Sequence, residues 1–353
     1  MDKDGRHFRA SRGVASKMSM PRDLASSINS TVAGRNLVIN GGMDIWQRGT
    51  SFAYSNISYV YSADRFEHVR NAYTLGATAS RQLAQLQGFR YCLRIQRDSG
   101  NTSTQPIFID HSMETVESLR VIGKTVTLSF YARRGANYSA SSNVLVARII
   151  TGTGTDQALK SYTNAAIPIT LDCVLSSNWQ RFSVTGVVTA GVNEIGLNFA
   201  FTPTGTAGAN DFYEITGIQL EEGSSATPFS RAGGDFVGEL ARCQRYYWRT
   251  STGGTYKGFG FGMGFSTTQA RCMIQFPQTM RTTPVGVDYG GAIAIMDSVT
   301  GYLATSMSID GNVMTPQSAY VNVNVASGLT QYRPYFLYSI ADANAYVGFS
   351  AEL

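Results

Sequence analysis

Three histidines, His7, His68 and His111, are all that 353 residues offer for imidazole chemistry, and His7 sits among arginines near the start. The four cysteines, Cys92, Cys173, Cys243 and Cys272, are widely separated, and no HExxH, CxxC or nucleophile-elbow pattern occurs. A zinc centre or a histidine-activated nucleophile is therefore not expected. Glycoside hydrolysis asks for less, only two carboxylates a fixed distance apart. Asp64, Glu67, Asp211, Glu214, Glu221 and Glu222 are candidates by residue type, but each position better suits a solvated or turn-capping carboxylate. Asp211, ahead of a strand, is also of the kind that holds a structural calcium in some sandwiches, or is a plain loop aspartate. No glycine-rich loop opens a helix after a strand, so the glycines carry no nucleotide signal. The chain is read as a non-enzyme with no cofactor and no metal.

Binding chemistry is better represented. In "SFAYSNISYVYSADRF", Tyr54, Tyr59 and Tyr61 with Asn56 supply rings on which sugar C–H faces stack and an amide that meets hydroxyls. The same tyrosines also suit ordinary edge or core positions. A second candidate is the segment before Asn36, where Arg6, Phe8, Arg9, Arg12 and Lys17 set one aromatic anchor among cations, an interface composition. That segment holds seven Lys and Arg against three Asp, so it carries four of the five net positive charges and the remainder is nearly neutral. Nucleic-acid binding is not expected of a neutral globular part without an RNP or helix-turn-helix element. No apolar run is long enough to cross a membrane and no secretory leader is evident, so cytoplasmic assembly with reduced thiols is expected.

These groups must be positioned by strands. Thirty-six glycines, 19 tyrosines, 18 phenylalanines and 15% charged residues call for short strands and tight turns, an all-β chain. "DRFEHV", "RYCLRIQR", "TVTLSFYARR", "NVLVARII", "WQRFSVTGVV", "EIGLNFAF" and "DFYEITGIQL" read as strands of a two-sheet antiparallel jelly roll over residues 36–232. "METVESLR" suggests one helical turn. "DFVGELARCQRYYWRT" places Phe236, Leu240, Cys243 and Tyr247 on one helical stripe, a connecting helix over 233–250. Strand signals resume over 251–353, predicting a second, smaller β-sandwich. There "GFGFGMGF" sends Phe259, Phe261, Met263 and Phe265 to one face and Gly258, Gly260, Gly262 and Gly264 to the other. The smooth face meets either a tightly packed neighbour in the same chain or other subunits around a symmetry axis, which makes Gly260, Gly262, Phe259 and Phe261 candidate interface residues. Residues 1–35 cannot bury enough to fold alone and form an extended arm.

Six motifs in order, "NLVINGGMDIWQRGTSF", "YSADRFEH", "GKTVTLSFYARRG", "WQRFSVTGVV", "IQLEEGSSATPFSR" and "ELARCQRYYWRT", resemble a widespread family of bacteriophage virion proteins, the tail fibres, tail spikes and head fibres, over residues 36–249. The resemblance implies a carbohydrate-binding-module-like jelly roll whose first strand and turn are the opening motif. Asn40 and Gly41 would make that turn, Trp46 would fill the space beneath it, and Arg48 and Asp64-Arg65 would pair across the edge. Met43 and Phe66 depart from the Phe and Trp common there, and both keep an apolar body. "FPQTMRTTPVGVDYGG" and "YVGFSAEL" are similar to the terminal β domain of such fibres, which implies a trimerising tip. A homotrimeric virion protein follows as the expectation, docked by its arm to a tail, baseplate, portal or capsid protein and bound outward to bacterial surface polysaccharide. A head fibre or decoration protein without a receptor role and a polysaccharide depolymerase are the alternatives.

Overall fold

The computed structural model describes residues 35–54, 59–70, 76–251, 253–311 and 313–353. The arm candidates Arg6, Phe8, Arg9, Arg12 and Lys17, and also Asn56, lie outside the described residues. The first strands in chain order are β1 (Ser51–Ala53), β2 (Tyr59–Tyr61), β3 (Glu67–Arg70), β4 (Ala77–Leu86), β5 (Phe89–Arg97) and β6 (Ile107–Ser112). They continue as β7 (Thr125–Arg134), β8 (Val144–Gly152), β9 (Ala166–Val174), β10 (Gln180–Val187), β11 (Glu194–Phe201) and β12 (Phe212–Glu222). They build two six-stranded antiparallel sheets, ordered β1-β4-β5-β12-β7-β10 and β2-β3-β6-β11-β8-β9. The long jumps along the sequence between neighbours are those of a jelly-roll sandwich. Period-two alternation turns Leu93, Ile95, Leu128, Phe130 and Ile215 of the first sheet toward Ile107, Ile109, Ala147, Leu197 and Phe199 of the second, all fully buried. Each large side chain sealed there contributes about 1.5–3 kcal/mol.

Strands β4 and β9 carry weaker sequence signals, and tertiary pairing supplies what local propensity does not. "ATASRQLAQL" has the Ala, Gln and Leu of a helix but pairs with β5 along most of its length. "AIPITLDCV" contains Pro168, tolerated because β9 is the outer edge of its sheet. The opening motif differs from the expected first strand. Residues 36–42 run beside β12 on isolated hydrogen bonds, Leu37 N to Leu220 O at 2.9 Å and Ile218 N to Gly41 O at 2.9 Å. Gly41 is required there, since a Cβ would lie 2.0 Å from Ile218 O. Asn40, at φ +62°, makes the turn, and Trp46 is buried beneath it with Nε1 donating to Met43 O at 2.8 Å.

Helix α1 (Phe236–Gln244) is shorter than the sequence suggests. The Asp235 carboxylate caps it by accepting from Gly238 N at 2.8 Å. Cys243 and Leu240 pack with Ile39, Ile45, Ala232 and Tyr246 in a small cluster of their own, while Phe236 is half exposed. Tyr247 leaves the expected stripe because the chain turns into β13 (Tyr247–Ser251).

The last hundred residues depart from a second sandwich. The remaining strands are β14 (Gly258–Gly264), β15 (Gln269–Gln275), β16 (Val287–Gly290), β17 (Ile293–Met296), β18 (Gly301–Ile309), β19 (Ser318–Val325), β20 (Pro334–Ser339) and β21 (Tyr346–Ser350). Six of them close into a barrel ordered β14-β15-β19-β18-β17-β20, with β13-β21-β16 as a separate three-stranded sheet. Closure removes the strand edges that an open sandwich would leave.

The glycines of β14 explain how so small a barrel closes. A Cβ on Gly260 would lie 2.7 Å from Met273 O, on Gly262 1.8 Å from Arg271 O and on Gly264 2.3 Å from Thr330 O. Gly260 and Gly262 therefore face their own chain and are corrected as subunit-interface candidates. Phe259 is corrected too, because a register shift between Gly258 and Gly260 turns it onto the barrel core. Phe261 stays outside, 68% exposed, in a cross-strand row with Met273 and Phe336. Replacing Gly262 by alanine is expected to lower the barrel's stability by about 1–3 kcal/mol, the usual cost of forced overpacking, readable as a fall in its thermal midpoint. An unchanged midpoint would contradict the close approach of β14 to β15.

Candidate functional site

The outer face of the second sheet carries the most organised surface chemistry among the described residues. Cross-strand registers place Tyr61, Glu67, Asp110, Asn198, Arg148 and Thr170 directly opposite one another on β2, β3, β6, β11, β8 and β9. Their neighbours in sequence, such as Ile109, Leu197 and Ala147, fill the core, so this polar row points the other way. At about 4.8 Å between strands it crosses the sheet over about 24 Å. Beside it runs a second row, Tyr59, Val69, Phe108, Ala200 and Val146, largely apolar and ending at Asp172.

Hydrogen bonds knit the polar row together. Arg148 Nη1 donates to Asn198 Oδ1 at 3.0 Å, and Asn198 Nδ2 donates to Asp110 Oδ1 at 2.6 Å. Lys160, on a 3-10 turn (Leu159–Ser161) folded over the sheet, meets Glu67 Oε1 at 2.6 Å and sits 4.1 Å above the Tyr59 ring. That turn lies close because Gly196 leaves room for Leu159. Asp110 and Asn198 form a buried floor, and Tyr59, Lys160 and Arg148 are partly exposed around it. Burial pushes the Asp110 carboxyl up to about 7, with Asn198 opposing the rise and Glu67 adding to it. Burial also raises Glu67, against the pull of Lys160.

The tyrosines singled out in the sequence separate in space. Tyr59 is 41% exposed at the rim of these rows. Tyr54 is corrected as a sugar-binding candidate: it belongs to the sandwich core, its ring 4.7 Å from that of His68. Tyr61, half buried, is drawn to the far part of the chain, its hydroxyl 3.4 Å from Leu353 O and its ring under Arg48. Asp110, Asn198, Arg148 and Lys160 escaped the sequence reading. The available signal was a polar residue midway along "IFIDHS", "LNFAF" and "LVARII", where both neighbours are core residues.

The candidate carboxylates are occupied structurally. Asp64 accepts from Gln47 N at 2.9 Å, Glu214 bridges Arg94 and Arg133, Glu221 holds Thr227, and Glu222 pairs with Lys124 at 2.8 Å. Asp211 is fully buried against Arg97, with Nη1 to Oδ2 at 2.7 Å, so a guanidinium supplies the positive charge considered for a calcium. Arg48 and Arg65 do not pair with Asp64 across the edge; both reach Glu352. His68 and His111 are sealed inside the sandwich, and burial lowers them to about 4 and about 3. The four cysteines are buried and unpaired. Among the described residues no group of His, Cys, Asp and Glu is placed to hold a metal, and no helix is long and apolar enough to cross a membrane.

Two other surfaces are less suited to a sugar. A polar groove of about 420 Å³ on the first sheet is lined by Thr50, Ser51, Thr78, Ser80, Gln82 and Gln96, without an aromatic ring. A groove of about 440 Å³ on the barrel, lined by Tyr256, Met296, Val299, Phe336 and Tyr338, is mostly apolar.

No family model matches the chain, and no curated protein matches it in sequence. Solved structures resemble part of it. A CBM4 structure is 15% identical, covering 53% of this chain and 99% of its own, at a TM-score of 0.30. The CBM22-1 xylan-binding domain of Paenibacillus barcinonensis Xyn10C is 13% identical, covering 55% and 98%, at 0.32. The enzymatically active domain of tailspike protein 4 of bacteriophage CBA120 is 11% identical, covering 53% of this chain and 21% of that one, at 0.32. At these scores the ligands and activities of those proteins remain theirs, and the two-sheet fold rests on the strand pairings above.

Proposed function

We propose that the sandwich is a glycan-binding module and that the chain is a bacteriophage fibre-type virion protein which attaches to bacterial surface polysaccharide. The observation that carries the binding reading is the pair of adjacent rows on the second sheet. A sugar ring has an apolar C–H face and a polar rim, and the Tyr59–Phe108 row beside the Glu67–Asp110–Asn198–Arg148 row offers both along one line. Carboxylate, amide and guanidinium together supply donors and acceptors for hydroxyls, which need both. A row crossing the sheet suits a polymer lying perpendicular to the strands.

The virion role is supported by the ordered motifs over residues 36–249. Homotrimerisation would raise weak single-site contacts to avidity, since later contacts become effectively intramolecular. The exposed barrel row of Phe261, Met273 and Phe336, flanked by Met263 and Phe265, is the surface we assign to that assembly. Residues 1–35 are assigned to docking on the particle, and the chain binds without cleaving. An array of bacterial surface polysaccharides probed with the full chain tests the binding reading. Retention on at least one polymer, without release of reducing ends, and loss of about tenfold or more in affinity on Asn198→Ala are expected. Indifference of every bound polymer to Asn198→Ala would remove the site, and steady release of reducing ends would replace the binder with a depolymerase.

A further inference from the structure

Resting on the glycan-binding reading, we infer that the ligand of the second sheet is an acidic polysaccharide, a polymer bearing carboxylates of the uronic-acid kind, and that Arg148 is the residue that selects it. Arg148 lies next to the end of the row on the outer face of β8, directly opposite Asn198 on one side and Thr170 on the other. Its guanidinium gives one hydrogen bond, to Asn198 Oδ1 at 3.0 Å, and has no ion-pair partner among the described residues. A guanidinium carries five N–H donors in a planar fork matched to a carboxylate. Its neighbours on the sheets are differently placed. Lys160 is neutralised by Glu67, and Arg94 and Arg133 of the other sheet share Glu214. Arg148 is thus the half-buried cation of the row whose charge is left for a ligand, and a sugar carboxylate beside Thr170 would take it in a charge-assisted pair.

Asp110 makes the discrimination dependent on pH. It is faced by Glu67 from β3, Lys160 from the 3-10 turn and Arg148 from β8 through Asn198 of β11, and it also interacts electrostatically with Tyr162, just beyond that turn, and with Tyr213 of the core. Of these, Lys160 and Arg148 favour its ionised form. A ligand anion on Arg148 cancels part of that support, so binding shifts Asp110 toward the protonated state. Proton uptake on binding means affinity rises as pH falls through about 7, while the uronic carboxylate stays ionised. A neutral ligand has no such charge to couple.

The test uses the full chain on an array of bacterial surface polysaccharides, both neutral and uronic-acid-bearing, followed by calorimetric titration of each bound polymer before and after chemical reduction of its carboxyls. The inference expects acidic polymers among those bound and affinity at least about tenfold above the reduced form, the size of one charge-assisted hydrogen bond. The preference should be larger at pH 6 than at pH 8. Arg148→Gln should bring the acidic-to-reduced ratio close to one, and Arg148→Lys should keep part of it, with unchanged thermal midpoints certifying the fold. Binding to neutral polymers alone, or a ratio that survives Arg148→Gln, overturns the acidic assignment and leaves the glycan-binding reading standing. Silence across the whole array overturns both.

Discussion

Replacing Asp211 by alanine is expected to cost the sandwich about 3–5 kcal/mol, because it strands a buried guanidinium. Both side chains of the Arg97–Asp211 pair are fully buried, and the pair does more than neutralise itself. Arg97 Nη2 donates to the carbonyls of Asn101 at 2.8 Å, Ser103 at 2.8 Å and Gly205 at 2.9 Å, while Asp211 accepts from Ser139 N at 3.0 Å and Ser139 Oγ at 2.8 Å. Three loops at one end of the sandwich are therefore tied to one ion pair. Removing both charges together, Arg97→Met with Asp211→Leu, is expected to cost less than Asp211→Ala alone, since no charge is then left unsatisfied. Denaturant titration of the two variants beside the parent protein reads this order. A single variant within about 1 kcal/mol of the parent protein would show that the loops hold without the pair.

Glu352→Ala is expected to have a comparable effect, of about 3–5 kcal/mol, but on the joint rather than on either core. Arg65, almost fully buried, pairs through Nη1 with Glu352, lies 3.6 Å from the Tyr246 ring centroid and donates from Nη2 to Ser112 O at 2.6 Å. Arg48 reaches the same carboxylate at 3.2 Å and lies 3.6 Å over the Tyr247 ring. Arg281 adds Nε to Ala351 O and Nη2 to Glu352 O, each at 2.8 Å. Losing the carboxylate leaves Arg65 charged and buried, so the sandwich and barrel should melt in two steps, with earlier proteolytic cleavage near α1. A single unshifted transition would contradict the clasp.

These contacts explain why the opening motif was legible only in part. "NGGMDIWQR" and "ADRF" stand out because several of their side chains are fixed in space, and the turn at Asn40 and the burial of Trp46 followed from residue type. Their partners did not, because Glu352, Tyr246 and Tyr247 lie far away in the chain, Glu352 304 residues from Arg48 and Tyr247 200 from Gln47, and no local pattern links them. The jelly-roll strands were readable wherever period-two alternation coincided with β-branched and aromatic residues. β4 lacked both. The barrel was misjudged as a sandwich because strand signals report edges and faces, while closure depends on backbone approach at Gly260, Gly262 and Gly264.

The candidate site shows the same divide. Tyr59 was found by composition, yet Tyr54, from the same stretch of sequence, lies in the core against His68. A ring count cannot tell an inner face from an outer one. Asp110, Asn198 and Arg148 come from three strands, and only the pairing of those strands brings them into one line.

The most direct test of where a glycan sits is amide hydrogen exchange of the full chain, with and without a polysaccharide it retains. Bound polymer should slow exchange along β6, β8 and β11, with the largest change near Asp110, Asn198 and Arg148. Slowing confined to the Thr50–Gln96 groove of the first sheet, or to the barrel, would contradict the assignment.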